Sequence, residues 1–191
     1  MNTLNRNRFS QFTFILACLL LLFGAASGHA QGRGGKENKE IRLQVFITGI
    51  PGDGDGGSID AFGSDQVVTN TGTIGGGGGA GKAEFGPIVI TKGVDRASTL
   101  LLKACATGMQ IARVQVNWIR GNPNNKQEEV FFIVMLDDVI ISRVQSGLPN
   151  QNDSFPTETV SLNFDKIRWT YFLPDGTQVK GGFDVSGNKP L

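Results

Sequence analysis

Beyond residue 40, apolar and polar residues alternate along most of the chain. Ile88 and Ile90 alternate with Val89 and Thr91, and Val114, Val116 and Trp118 alternate with Gln115 and Asn117. This is the two-residue period of a pleated strand, whose successive side chains point to opposite faces. The same pattern places Val160, Leu162 and Phe164 on one side of a strand and Ile167, Trp169 and Tyr171 on one side of the next. Asp165 and Lys166 join the two, which predicts a hairpin there. Further strands are predicted over residues 41–50, 58–69, 82–91, 111–120, 130–136, 139–144 and 177–183. Between them lie a glycine-rich loop at 70–81, a polar hairpin connection at 122–127, a loop at 147–155 ended by Pro156, and a Pro174-Asp175-Gly176 turn.

One helix interrupts this pattern, at about Ala97–Thr107. Asp95 sits at the N-cap position, where its carboxylate can accept free N–H groups of the first turn. Leu100, Leu101, Ala104 and Cys105 supply an apolar face, and Gly108 supplies the positive φ that ends the helix. Many short strands with a single helix predict a mainly β fold, a closed or nearly closed barrel. Trp118, Trp169 and the phenylalanines are expected in its core.

The first thirty residues have another character. Arg6 and Arg8 precede an apolar run from Phe12 to Phe23, and Gly28, His29 and Ala30 present small residues around a peptidase site. This is the form of a secretory leader cleaved after Ala30. The run is shorter than the roughly 20 residues of a spanning helix, so no stable membrane insertion is expected once the leader is removed. Cys18 lies inside the apolar run and not at its end, so a leader cysteine fits better than a lipoprotein site. The expected organisation is a signal peptide at 1–30, a disordered linker at 31–40 and one domain at 41–191. About 160 residues remain after cleavage, enough for one compact domain.

Loss of the leader removes two arginines and no acids, so the 18 basic and 17 acidic residues of the chain become 16 and 17. A near-neutral chain without clustered Lys and Arg gives no reason to expect a nucleic-acid partner. Cys105 is then the one remaining cysteine and is expected as a small core residue. His29 is the only histidine, so the mature chain has none for Ser-His-Asp or Cys-His chemistry, and zinc would lack its usual ligands. Asp137 and Asp138 are adjacent and on a strand would face opposite ways, which suits a turn or strand end better than a shared catalytic proton. Gly76 to Ala83 spells a G-x-x-x-x-G-K pattern through Lys82, but Ala83 replaces the Ser or Thr and a strand follows instead of a helix. Asp53, Asp55 and Asp60 resemble calcium ligands, yet Gly57, Ser58 and Ser64 break the required spacing, so a plain turn is expected. No catalytic, cofactor-binding or metal-binding residue is assigned.

Several ordered motifs carry a family resemblance. They are IPGDGDGGSIDAF at 50–62, a strand ending in Thr91 and Lys92, Asp95, and a helix with Leu100 to Lys103 running into ACATG at 104–108. They continue with FIVMLDDVIISRVQSG at 132–147, PTETVSLNFDKIRWTY at 156–171, and GGFDVSGNKPL at the C-terminus, with Phe183 before Asp184. Over 41–191 the chain resembles the Hcp family, the haemolysin-coregulated tube proteins of type VI secretion. The resemblance implies a β-barrel of two antiparallel sheets, six of which form a ring that stacks into a tube and carries or chaperones effectors. It implies as partners other copies of the chain, a spike protein and effector cargo, and it gives the loop at 70–81 a role in reaching the adjacent ring. A cytoplasmic tube component awaiting type VI export and a leader-exported barrel acting as a secreted or periplasmic binding or structural module are the two readings; an enzyme ranks below both. Cleavage after Ala30 predicts an exported protein whose N-terminal sequencing starts at Gln31, and an intact Met1 on the exported protein removes the leader reading.

Overall fold

The computed structural model describes residues 41–72, 81–121, 127–147 and 155–191. The leader and linker at 1–40, most of the glycine run at 73–80, and the connections at 122–126 and 148–154 lie outside the described residues.

The elements in chain order are β1 (Arg42–Ile47), β2 (Ile59–Asp65), β3 (Val68–Asn70), β4 (Ala83–Phe85), β5 (Ile88–Gly93), α1 (Ala97–Thr107), β6 (Gln110–Gly121), β7 (Glu128–Gly147), β8 (Thr157–Phe172), β9 (Gln178–Asp184) and β10 (Lys189–Pro190). Hydrogen bonding runs β8-β5-β2-β1-β6-β7 and returns from β7 to β8, which closes six strands into a barrel. Each of these pairs is antiparallel. Closure removes the unpaired edges that an open sheet would present. On the far side of β8, β9 and then β10 extend the sheet outside the ring of six, while β3 and β4 pair with each other as a separate ribbon.

The inward positions are aliphatic and nearly solvent-free, including Val45, Ile59, Ile88, Ile90, Val114, Val116, Leu136 and Leu162. Trp118, Trp169, Phe85, Phe164 and Phe183 are partly buried against this core. The alternation expected for β5 is therefore realised, and that of β6 holds from Val114 to Val116, after which Asn117 is buried and a bulge separates Trp118 from Ile119.

Several expectations are corrected. Residues 130–136 and 139–144 form one strand, β7, and the hairpin expected at Asp165 and Lys166 is absent because β8 runs through both. The physical reason is a change of inward face inside continuous strands. In β7 the buried residues step from Leu136 to Val139, in β6 from Ile111 to Val114, and in β8 from Leu162 to Ile167. Asp138 accommodates the step with φ 56°, a left-handed conformation that Asp tolerates better than most residues. The β6–β7 and β7–β8 ladders continue on both sides of it. In addition, the single strand expected at 82–91 is divided into β4 and β5.

The same level of the barrel carries an ion-pair triad. Asp137 stands opposite Arg113 in the β6–β7 ladder. Its Oδ1 accepts from Arg113 Nε at 2.8 Å, and its Oδ2 accepts from Arg168 Nη1 on β8. Burial would raise the Asp137 carboxyl, but the two guanidinium hydrogen bonds and their charges outweigh it and hold the group below its ordinary value.

The helix starts close to where its cap was expected. Asp95 Oδ1 accepts the Ala97 N–H at 2.9 Å, and Ser98 Oγ accepts the Asp95 N–H at 3.0 Å, a reciprocal capping arrangement. Arg96, one residue later than expected, is the flanking residue. Gly108 ends the helix with φ 62°, and Met109 N–H returns to the Ala104 carbonyl at 3.0 Å. Leu101 and Ala104 are buried and Cys105 is half-buried, but Leu100, expected on the apolar face, is exposed. One residue further round the helix is about 100°, enough to carry Leu100 off the packed stripe.

Replacing Leu136 by Ala is expected to cost about 2–5 kcal/mol, because the closed barrel around it cannot collapse onto the void; urea denaturation measures this, and a loss within error would refute it. Asp137 is depressed in the folded state, so its contribution is present above a pH of about 4 and is lost as pH falls through the lowered folded value. Acid-unfolding curves should therefore show Asp137→Asn losing less stability than the parent chain across that window.

Candidate assembly surface

The polar centre of the structure is buried. Lys92 follows Ile88 and Ile90 on the inward face of β5 and is 1% exposed, and Glu158, its cross-strand partner on β8, is likewise 1% exposed. Lys92 Nζ lies 2.6 Å from Glu158 Oε1 and 2.8 Å from Asp95 Oδ1, and it also donates to the Gly93 carbonyl at 2.7 Å and to Ser98 Oγ at 3.2 Å. Glu158 is held further by Ser98 Oγ at 2.7 Å and, through Oε2, by Ser146 Oγ at 3.1 Å. One cation and two carboxylates thus join β5, β7, β8 and the first turn of α1. Its two central ions, Lys92 and Glu158, are shut away from solvent and satisfied by these partners, so the arrangement acts as a brace.

On the exterior, the β3–β4 ribbon is rooted by aromatic packing. The Phe85 ring lies 5.2 Å from Phe183, 6.2 Å from Phe164 and 6.4 Å from Trp169, centre to centre. Trp169 Nε1 donates to Gln66 Oε1 at 3.2 Å, which fastens the β2–β3 connection to β8. Val67 and Val68 at the ribbon's start remain exposed, as does Phe62, whose ring lies over Gly93. A Cβ on Gly93 would meet that ring at 3.5 Å. Among the described residues the outer edge of β9 is met by β10 at Phe183 and Asp184 and by the Leu191 N–H at the Gly182 carbonyl, and Val179 is exposed. Uncovered strand edges and exposed apolar side chains are what a subunit offers to another chain.

The acidic positions singled out in the sequence are dispersed. Asp53 pairs with Arg96, Oδ1 to Nε at 3.4 Å, and accepts the Arg96 N–H at 3.4 Å; Asp60 is 3.8 Å from Arg42. Asp55 opens a single 3-10 turn. Among the described residues no three His, Cys, Asp or Glu side chains gather in a metal-holding group. Asp138 is 3.8 Å from Lys166, and so engages a partner different from those of Asp137. Lys82 is followed by the strand β4, and the glycines at 75–79 lie outside the described residues.

Residues 53–171 match the protein family described as "Type VI secretion system effector, Hcp". The chain is 33% identical over 90 residues to the "Major exported protein" of Pseudomonas aeruginosa, an overlap of 44% of this chain and 52% of that one. It thus spans about half the length of this curated relative. In three dimensions it is similar to Hcp1 from Salmonella typhimurium, with TM-score 0.65, 20% identity, and 79% of this chain against 99% of the other. It is also similar to Hcp1 from E. coli EAEC 042, with TM-score 0.61, 24% identity, and coverage of 76% and 97%. At such identities these two likenesses establish the fold. With all of β2 through nearly all of β8 inside the family match, the chain belongs to the Hcp family.

Proposed function

We propose that the chain is a non-enzymatic tube protein of a type VI secretion system, forming six-membered rings that stack and carry or chaperone effectors. The observation that carries this reading is the family match over residues 53–171, laid on a closed barrel that pairs its two buried charges, Lys92 and Glu158, with each other and leaves Phe62, Val67 and Val68 exposed. A ring uses two different patches on neighbouring subunits and closes when the rotation between them closes. The partners are other copies of the chain, a spike protein and effector cargo, with no nucleic acid among them.

The leader-like segment favours a second reading. Arg6, Arg8 and the apolar run from Phe12 to Phe23 suit a barrel exported on its own, acting as a secreted or periplasmic binding or structural module. The relative's name, major exported protein, accords with export by either route.

Native mass spectrometry and negative-stain microscopy on the chain from Gln31 onward separate the readings, since that chain keeps the whole compact unit Asn38–Leu191. Rings of six subunits are the expected result. A monomer that persists at high concentration would overturn the tube reading, and a processed N-terminus in the periplasm would transfer support to the exported module.

A further inference from the structure

We propose that the Lys92–Glu158 pair is the register key of the β5–β8 seam of the barrel, and that through Asp95 and Ser98 the same pair seats α1. The seam runs from Ile88 opposite Leu162, through Ile90 opposite Val160, to Lys92 opposite Glu158. A slip of one residue would turn every inward side chain to the outside and is excluded by burial alone. A slip of two residues keeps the faces correct. Ile90 would then meet Leu162, or Ile88 would meet Val160, and branched aliphatic residues would still pack against branched aliphatic residues. Apolar packing along this seam therefore discriminates poorly among the registers two apart.

The charged pair discriminates sharply. Slipped one way, Lys92 faces Val160; slipped the other way, it faces Pro156 and Glu158 faces Ile90. Both leave an ion without its partner in a core walled by Val45, Ile59, Leu101 and Leu162, where an unpaired charge is strongly disfavoured. The helix feels the same slip. Ser98 Oγ donates to Glu158 Oε1 at 2.7 Å, and Asp95 Oδ1 serves both Lys92 Nζ and the Ala97 N–H. Displacing Glu158 therefore withdraws an acceptor from the first turn of α1, which packs Ala97 and Leu101 into the core.

A register key differs from a stabilising contact in what its removal does. Replacing a buried ion pair by apolar residues of similar size is often neutral for stability, whereas it removes the discrimination. In the double variant Lys92→Met, Glu158→Leu, cooperative thermal unfolding is expected to persist. Amide hydrogen exchange over residues 88–93 and 97–101 should accelerate by about tenfold or more, with more than one set of NMR resonances for the seam. Parent-like protection and a single set of resonances would overturn the proposal. Should the double variant fail to fold, Glu158→Gln removes the charge while keeping the side-chain shape. It should accelerate exchange at the seam and first helical turn more than in the β6–β7 ladder, and a uniform change would overturn the proposal equally. Exchange is read within the subunit, so an absence of rings would remove the tube reading and leave this one standing.

Discussion

A lysine ammonium and a glutamate carboxylate, both 1% exposed, meet at 2.6 Å across the β5–β8 seam of the barrel. Removing two ions from water costs several kcal/mol each, and attraction offsets that only where hydrogen bonds satisfy the remaining polar atoms. Here they do. Lys92 finds the Gly93 carbonyl, Asp95 and Ser98, and Glu158 finds Ser98 and Ser146. These partners come from β5, the turn before the helix, α1, β7 and β8, so the charge is satisfied only when all of these elements are in place at once. The long-range topology and the local cap are enforced by one set of contacts.

The remainder of the barrel is organised around a second constraint, the change of inward face in β6, β7 and β8 near Arg113, Asp137 and Lys166. A long strand that kept one face inward throughout could line only one wall of a small core. By stepping from Leu136 to Val139 and from Leu162 to Ile167, these strands keep both of their halves packed. Asp138 takes up the step with its φ of 56°, and the neighbouring Asp137 carboxylate draws Arg113 and Arg168 together across the outside of the three strands. Side chains outside and backbone inside thus mark one level of the barrel.

Those two features also explain how far the sequence could be read. Strands β5 and β6 and the helix were accessible because their signals are local: a period of two, an Asp before the helix, and Gly108 at its end. The double strand expected at 130–144 and the hairpin at Asp165 and Lys166 failed for the same reason. A change of face inside one strand leaves in sequence the mark that two strands and a turn would leave. Lys92 was visible only as part of a motif, although its position after Ile88 and Ile90 put it on the inward face. Its partner Glu158 precedes Val160 and Leu162 in the same phase, but 66 residues separate the two. Local periodicity identifies each as an inward charge and cannot pair them.

What the interior does with its polar groups bears on what the exterior is for. A catalytic site holds polar groups in reserve, exposed and poised for a substrate, as in a cleft with perturbed acids and bases. In this barrel the buried charges are committed to one another, and the acids singled out in the sequence are spread among Arg96, Arg42, Arg113, Arg168 and Lys166. Among the described residues the exterior offers features of a different kind, including the start of the outer edge of β9 and the apolar side chains of Phe62, Val67 and Val68. Backbone edges and apolar patches recognise other proteins by shape and strand pairing, and they serve repeated assembly best when the body behind them cannot shift. Under the proposed tube reading, a braced core suits assembly from identical copies, because a small error in subunit shape would be multiplied around a ring.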